Sequence, residues 1–274
     1  MKFIVFLLVF VLCGCTTADT YVEEGTASVE EETKEVIPKE NIENLPTARQ
    51  NWGMKRNPPS RPEFTQEQMG IMEKYGCIYM GSNEEKYLYL TFDEGYENGQ
   101  TGKILDTLKE KGVPAAFFIT GDYFKSEKEL VDRMVGEGHI VGNHTMEHPC
   151  LAKIKDEKEL EQEVLSLDLA FYNAYNKHMK YLRPPEGAYS EKSLAVTKNV
   201  GYTNVFWSFA YDDWDTKRQK GKEYAIKKVT DNLHPGCVIL LHAVSESNAE
   251  ALGEIIDTAR VMGYEFKSLD VYIP

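Results

Sequence analysis

The chain has no surplus of positive charge. Its 31 Lys and Arg stand against 44 Asp and Glu, a formal net charge of -13 over 274 residues. A protein of that balance offers no basic surface to phosphate backbones, which argues against nucleic acid as its main partner. Cysteine is scarce as well: beyond Cys13 and Cys15 only Cys77, Cys150 and Cys237 occur, an odd number at wide spacing. That is not a disulfide framework. No long hydrophobic run is present, since the apolar stretch Phe3 to Leu12 is too short to cross a bilayer as an ordinary helix. No G-x-G-x-x-G follows the first expected strand, so a dinucleotide fold has no support. No internal repeat is visible. Hydrophobic residues make up 42% of the chain, enough for one large core or at most two domains.

The first residues, MKFIVFLLVFVLCGC, place one Lys before the apolar run and small or thiol residues after it. This fits an export signal over residues 1–14. Leu12-Cys13-Gly14-Cys15 resembles a bacterial lipobox, which makes Cys15 the lipidated mature N-terminus and anchors the chain to the outer face of the cell membrane. A plain signal peptide with incidental cysteines is the alternative. Thr16 to Ala48 is polar, rich in Glu, Thr and Ser, and without clear period. Residues 15–50 are therefore expected to be an acidic, disordered tether, and residues 51–274 the folded domain.

From about Trp52 the composition turns globular. Short apolar runs fall at Tyr87–Phe92, Ala115–Ile119, His139–Gly142, Lys180–Arg183, Thr203–Trp207, Cys237–Leu241 and Tyr264–Lys267. Stretches of helical period separate them, such as GKILDTLKEKG and the long segment Asp156 to His178. Such alternation implies crossover connections and a parallel sheet. The expected fold is α/β, a small and incomplete TIM-like barrel, with a doubly wound open sheet as the alternative.

Unusual polar residues cluster at the C-terminal ends of those runs. Asp93 and Glu94 follow the first, His144 and His148 the third, Arg183 the fourth, Asp212 and Asp213 the fifth, and His242 the sixth. In a parallel barrel these ends converge on one face, where such folds carry their active sites. The H-x-x-x-H spacing of His144 and His148 lets two imidazoles meet one metal. With a carboxylate and open positions this is the layout of a catalytic zinc or similar divalent site. His242 ends a buried-looking strand and titrates near neutrality, which suits a proton donor. Arg183 precedes two prolines that stiffen its loop, and its guanidinium could fix a carboxylate. Cys150 sits near the histidines and is a further candidate for the same site, whereas Cys237 reads as a core thiol. His139, His178 and His234 read as structural. Trp207 and Trp214 flank the Asp pair as core or as a sugar-stacking rim.

These residues carry a resemblance to the polysaccharide deacetylases of the NodB-homology type, carbohydrate esterase family 4. It runs from Trp52 to the C-terminus through TFDEG (Thr91–Gly95), HTMEH (His144–His148), RPPEG (Arg183–Gly187), WSFAYDDW (Trp207–Trp214) and LLH (Leu240–His242). NWGMKRN, YLTFDEGYENG, EGHIVGNH and LLHAVSESNAEALGEII are similar to the branch that de-N-acetylates muramic acid in the peptidoglycan of spore formers. The resemblance implies a distorted seven-stranded (β/α) barrel and hydrolysis of N-acetyl groups on a peptidoglycan glycan strand. It also implies a divalent metal, zinc, and a setting around the forespore. It further implies that Asp93 is the general base, His144 and His148 metal ligands, Arg183 the residue orienting the base, Asp213 the acid tuning the last histidine, and His242 the general acid.

Three positions depart from the family pattern. Glu94 stands where the family has a metal-ligating Asp and the muramic branch commonly Asn. It is expected either to ligate after a small loop adjustment or to stand behind the ligands. Glu186 replaces a residue that is often aromatic, and Ala210 replaces an Asp. Two other functions remain open at this point: deacetylation of N-acetylglucosamine polymers, and glycan binding without catalysis.

Overall fold

Seven parallel strands and the helices between them organise the chain, in a computed structural model that describes residues 37–58 and 60–274. The signal segment, Cys15 and most of the tether lie outside the described residues. The strands are β1 (Tyr87–Glu94), β2 (Ala115–Ile119), β3 (Ile140–Asn143), β4 (Tyr181–Leu182), β5 (Thr203–Asn204), β6 (Cys237–His242) and β7 (Glu265–Phe266). Their order is β6-β1-β2-β3-β4-β5, with β7 beside the start of β1. Past β5 the chain meets β6 at a parallel bridge between Phe209 and Ile239, which brings the two edges of the sheet together. The result is the distorted (β/α) barrel, not the open doubly wound sheet.

Each apolar run became a strand for the same reason. β1 is buried at every position after Tyr87, so it needs apolar residues on both faces and reads as continuous. Period two divides those faces. Tyr89 joins Ala116, Phe118, Tyr181, Val205 and Val238 in a small cluster inside the barrel. Leu88, Leu90 and Phe92 join the larger cluster under the helices, with Ile104, Leu105 and Leu108 of the helix Thr101–Lys111. Two other helices matter to the site. These are the helix Glu157–Tyr175, capped by the Asp156 side chain, and the helix Glu246–Val261, capped by Ser245.

The folded unit begins earlier than residue 51. Lys39–Glu43 forms a short helix, α1, and Ile42 is buried in the main core. Ile37 exchanges two backbone hydrogen bonds with the Asn199 side chain, of 2.9 and 2.7 Å, and Pro46 O accepts from Lys192 N at 3.2 Å. The end assigned to the tether is thus docked on the domain. A few apolar residues do this, and the acidic average of the segment hides them. Among the described residues no helix is long and apolar enough to cross a membrane.

Candidate active site

The inward faces of the strands, continued past their C-terminal ends, build one pocket of about 560 Å³. Asp93 follows Tyr89 and Thr91 inward on β1, and His242 follows Val238 and Leu240 on β6. The register pairs His242 directly with Asp93. His144 stands past β3 and Arg183 past β4. Asp93, His144, His148 and His242 all line the pocket, together with the exposed rim aromatics Tyr96 and Trp214.

Asp93 is nearly buried, and burial works against its charge. The Arg183 guanidinium, with His144 and His242, outweighs that and holds its carboxyl below the usual range. Arg183 has no exposed surface at all. Its Nη1 donates to Asp93 Oδ1 at 2.7 Å, its Nη2 to Thr91 Oγ1 at 2.8 Å and its Nε to Val205 O at 3.1 Å. Its guanidinium also lies 4.2 Å from the centre of the Phe118 ring. Thr91 in turn donates to Ile239 O at 2.6 Å, so the clamp is tied to the sheet. Nothing in the sequence marked Thr91 for this, since it sits in the apolar run as an ordinary strand residue.

The two metal-candidate histidines converge. His144 Nδ1 donates to Arg183 O at 2.8 Å, because a carbonyl only accepts. That leaves its Nε2 lone pair facing His148 Nε2 at 3.2 Å and Asp93 Oδ2 at 3.6 Å. Burial pushes the His144 pKa down to about 4, keeping it neutral, the form in which imidazole ligates. Two imidazoles on one tetrahedral divalent ion have their nitrogens about 3.3 Å apart, from Zn–N bonds near 2.0 Å. The observed pair fits that requirement. The loop between the histidines holds two non-glycine residues at positive φ, Thr145 (73°) and His148 (55°). Such strain persists only where the surroundings enforce it. Here Glu163 of the helix Glu157–Tyr175 accepts from Glu147 N at 2.6 Å through Oε1 and from Met146 N at 3.2 Å through its backbone O. Gly121 closes the other side. A Cβ there would stand 2.1 Å from Met146 Sδ and 2.6 Å from Met146 O, so only glycine lets the loop pass.

Glu94 does not join them. Adjacent residues in a strand face opposite ways, and Glu94 shares the parity of Leu88, Leu90 and Phe92, toward the helices. Its carboxyl is fully buried with both oxygens 3.5 Å from Thr101 Oγ1, and it is absent from the pocket lining. The expected third ligand is therefore not supplied from this position. Among the described residues no three His, Cys, Asp or Glu side chains form a closed metal-ligand set. Cys150 is likewise no ligand: it is buried against Ala152 and Ala188. Burial, then the charges of Glu97 and Asp93, raise the Glu94 pKa well above the ordinary carboxyl value. Stability contributed by a group so raised is lost as pH climbs from the unfolded value toward the folded one. Glu94→Gln, which mimics the protonated acid, should melt at or above the wild type at neutral pH, with a gap that widens on alkalinisation. Bound metal, measured by elemental analysis, should stay within about twofold, whereas loss of a true ligand costs about tenfold or more.

His242 stands beside Asp93 on the neighbouring strand. Its Nδ1 donates to Asp213 Oδ1 at 2.7 Å and its backbone N to Asp213 Oδ2 at 2.9 Å, which leaves Nε2 for the pocket. Burial alone would lower its pKa, but the bond to Asp213 and the Asp213 and Asp93 charges give a net rise. Asp212, the neighbour in the pair, points to solvent and meets Lys220 at 2.7 Å. Of the two tryptophans Trp214 reaches the pocket rim, while Trp207 packs over Gly187 and accepts from Trp52 Nε1 at 2.7 Å through its carbonyl. Glu186 adopts a left-handed φ of 61° and pairs with Arg49 at 2.9 Å. The three histidines read as structural have local partners. His139 accepts from Ala115 N, His178 bonds Asp168, and His234 donates to Pro235 O.

A family model described as polysaccharide deacetylase matches residues 80–205. The peptidoglycan-N-acetylmuramic acid deacetylase PdaA of Bacillus subtilis is 44% identical, covering 94% of this chain and 94% of that protein. A peptidoglycan-N-acetylglucosamine deacetylase of Bacillus cereus is 31% identical, covering 83% of each. The solved structure of Bacillus subtilis PdaA, a family 4 carbohydrate esterase, superposes with a TM-score of 0.80 at 43% identity, over 82% of this chain and 97% of that one.

Proposed function

The chain belongs to the polysaccharide deacetylase family, and on that premise we propose that it hydrolyses N-acetyl groups of N-acetylmuramic acid in peptidoglycan, releasing acetate. The enzyme is then a hydrolase of carbon–nitrogen bonds other than peptide bonds. The observation that carries the reading is the meeting, in one pocket, of an Arg-clamped carboxylate and an Asp-backed histidine from neighbouring strands, beside a convergent imidazole pair.

Amide hydrolysis needs an activated water, compensation for the charge that develops on the carbonyl oxygen, and a proton for the departing nitrogen. Asp93, kept ionised by Arg183, accepts the proton of the attacking water. His242, kept protonated by Asp213, gives one to the amine. His144 and His148 would hold a divalent ion, which we take to be zinc. When bound it supplies Lewis acidity, making water more acidic and withdrawing charge from the carbonyl. Members of the family generally depend on a metal. Exposed Tyr96 and Trp214 offer apolar faces to a sugar ring at the rim. The lipobox at Cys15 supports a lipid-anchored protein on the outer membrane face, with residues 15–36 as its spacer.

The deciding experiment is product analysis of muramidase-digested peptidoglycan by mass spectrometry, with and without the enzyme. Free muramic amine supports the proposal. Free glucosamine amine alone selects the other deacetylase reading, and binding without any amine under every divalent metal selects the non-catalytic one. Activity should also follow two titrations. Asp93 must be ionised, and its pKa lies below the usual 3.8, so the acid limb falls under that value. His242 must be protonated, and its pKa is raised above 6.5, so the alkaline limb lies above that. Asp213→Asn removes the charge that raises His242, and the alkaline limb of kcat should move to lower pH.

A further inference from the structure

Asp213 is held by more than the histidine it serves. Asn248 Nδ2 donates to Asp213 Oδ2 at 2.6 Å. With the His242 amide on the same oxygen, Oδ2 is saturated and Oδ1 is left for His242 Nδ1. An Asn amide could in principle turn its oxygen toward the carboxylate. Here it cannot do so without loss, because the Tyr211 hydroxyl donates to Asn248 Oδ1. Asn248 is 1% exposed and Asp213 3%, so each of these bonds is made in a site of low dielectric. The backbone enforces the placement. Ser245 caps the helix Glu246–Val261 and accepts from Asn248 N at 3.2 Å, which fixes Asn248 in the first turn. Gln219 Oε1 accepts from Ser245 Oγ at 2.7 Å and Ser247 N at 3.1 Å, while its Nε2 donates to Asp213 O at 3.1 Å.

We infer that Asn248, locked by Tyr211, is a positioning residue for the proton-donating His242, acting through Asp213. The inference rests on the deacetylase reading of the site. It explains a polar chain, Tyr211 to Asn248 to Asp213 to His242, in which the Asn248 amide and the His242 ring and backbone N–H groups all donate to one carboxylate, with a longer 3.5 Å bond from Asn248 Nδ2 to His242 O. Neither Asn248 nor Tyr211 lines the pocket, so neither touches substrate.

The test separates proton donation from folding and from substrate choice. Asn248→Leu and Tyr211→Phe are assayed, metal-loaded, on peptidoglycan N-acetyl groups and on a nitrophenyl acetate ester. The nitrophenolate leaving group departs without protonation, so a defect in the acid affects the amide alone. For Asn248→Leu the amide-to-ester ratio of kcat should fall about tenfold or more, with KM for the amide within about twofold. Tyr211→Phe should show the same sign at smaller size. Equal loss on both substrates assigns Asn248 a merely structural role and overturns the inference, as does an unchanged ratio. A readout independent of turnover is the proton NMR signal of His242 Nδ1–H, which its bond to Asp213 places downfield. It should move upfield in Asn248→Leu and stay near the wild-type position in Tyr211→Phe. An unmoved signal in Asn248→Leu overturns the inference even if the wild type deacetylates nothing. A moved signal in an enzyme without deacetylase activity leaves the positioning role standing and rejects the proposed reaction instead.

Discussion

Asp93→Asn should lower acetate release from peptidoglycan by about 10²- to 10⁴-fold, the range expected for removal of a positioned general base. The substitution is conservative in shape, since Asn keeps an oxygen that can accept from Arg183 Nη1 where Oδ1 now does at 2.7 Å. It is not conservative in charge. Arg183 is wholly buried and Asp93 is the carboxylate it pairs with. An uncompensated buried guanidinium costs about 3–5 kcal/mol. Activity should therefore be measured well below the melting temperature, with folding checked by circular dichroism. KM should change little, because Asp93 acts on the water and not on the sugar. Metal content matters as a control, since Asp93 Oδ2 is 3.6 Å from His144 Nε2. If the folded, metal-loaded variant retains acetate release within about threefold, Asp93 is not the base.

Much of this site was legible before the structure, and its physical basis says why. The strands could be read because parallel strands covered on both faces must be apolar throughout. Their ends could be read because polar residues there break that rule. What was missed follows from averaging or from distance in sequence. The docking of α1 depends on Ile37 and Ile42, a minority in an acidic segment whose mean says disorder. The Asn248–Asp213 bond joins residues 35 positions apart, and no local pattern announces it. Glu94 is a different case. Its orientation was available from strand periodicity, since Asp93 and Glu94 cannot both face inward from a regular strand. The similarity of its side chain to a family ligand pointed one way and the pleat of β1 the other, and the pleat decided. The same pleat brings Asp93 and His242 to one pocket from two neighbouring strands, with Arg183 buried behind Asp93, so the fold and the constellation are one geometric fact.

Arg183→Met should give the largest loss of stability of any single change at the site. Arg183 Nη1, Nη2 and Nε together hold the Asp93 carboxylate, the Thr91 hydroxyl and the Val205 carbonyl, and the guanidinium itself has no exposed surface. Truncating one partner of a buried ion pair costs about 3–5 kcal/mol, because the other charge stays behind in low dielectric. For this barrel that is several degrees in Tm or more. The catalytic effect runs through the same group. With the guanidinium gone, burial acts on Asp93 with less opposition and its pKa rises, so the acid limb of the pH–rate profile should move up toward neutrality. Arg183→Lys should recover part of the charge effect but not the fork that reaches Thr91 and Asp93 together. The double variant Asp93→Asn, Arg183→Met decides whether the two residues act as one unit. Removing both charges eliminates the stranded one, so the double variant should be more stable than Arg183→Met alone, and no less active than Asp93→Asn alone. Additive losses in both stability and rate would mean that Arg183 supports the barrel independently of the base, and its assignment as the residue that orients Asp93 would fail.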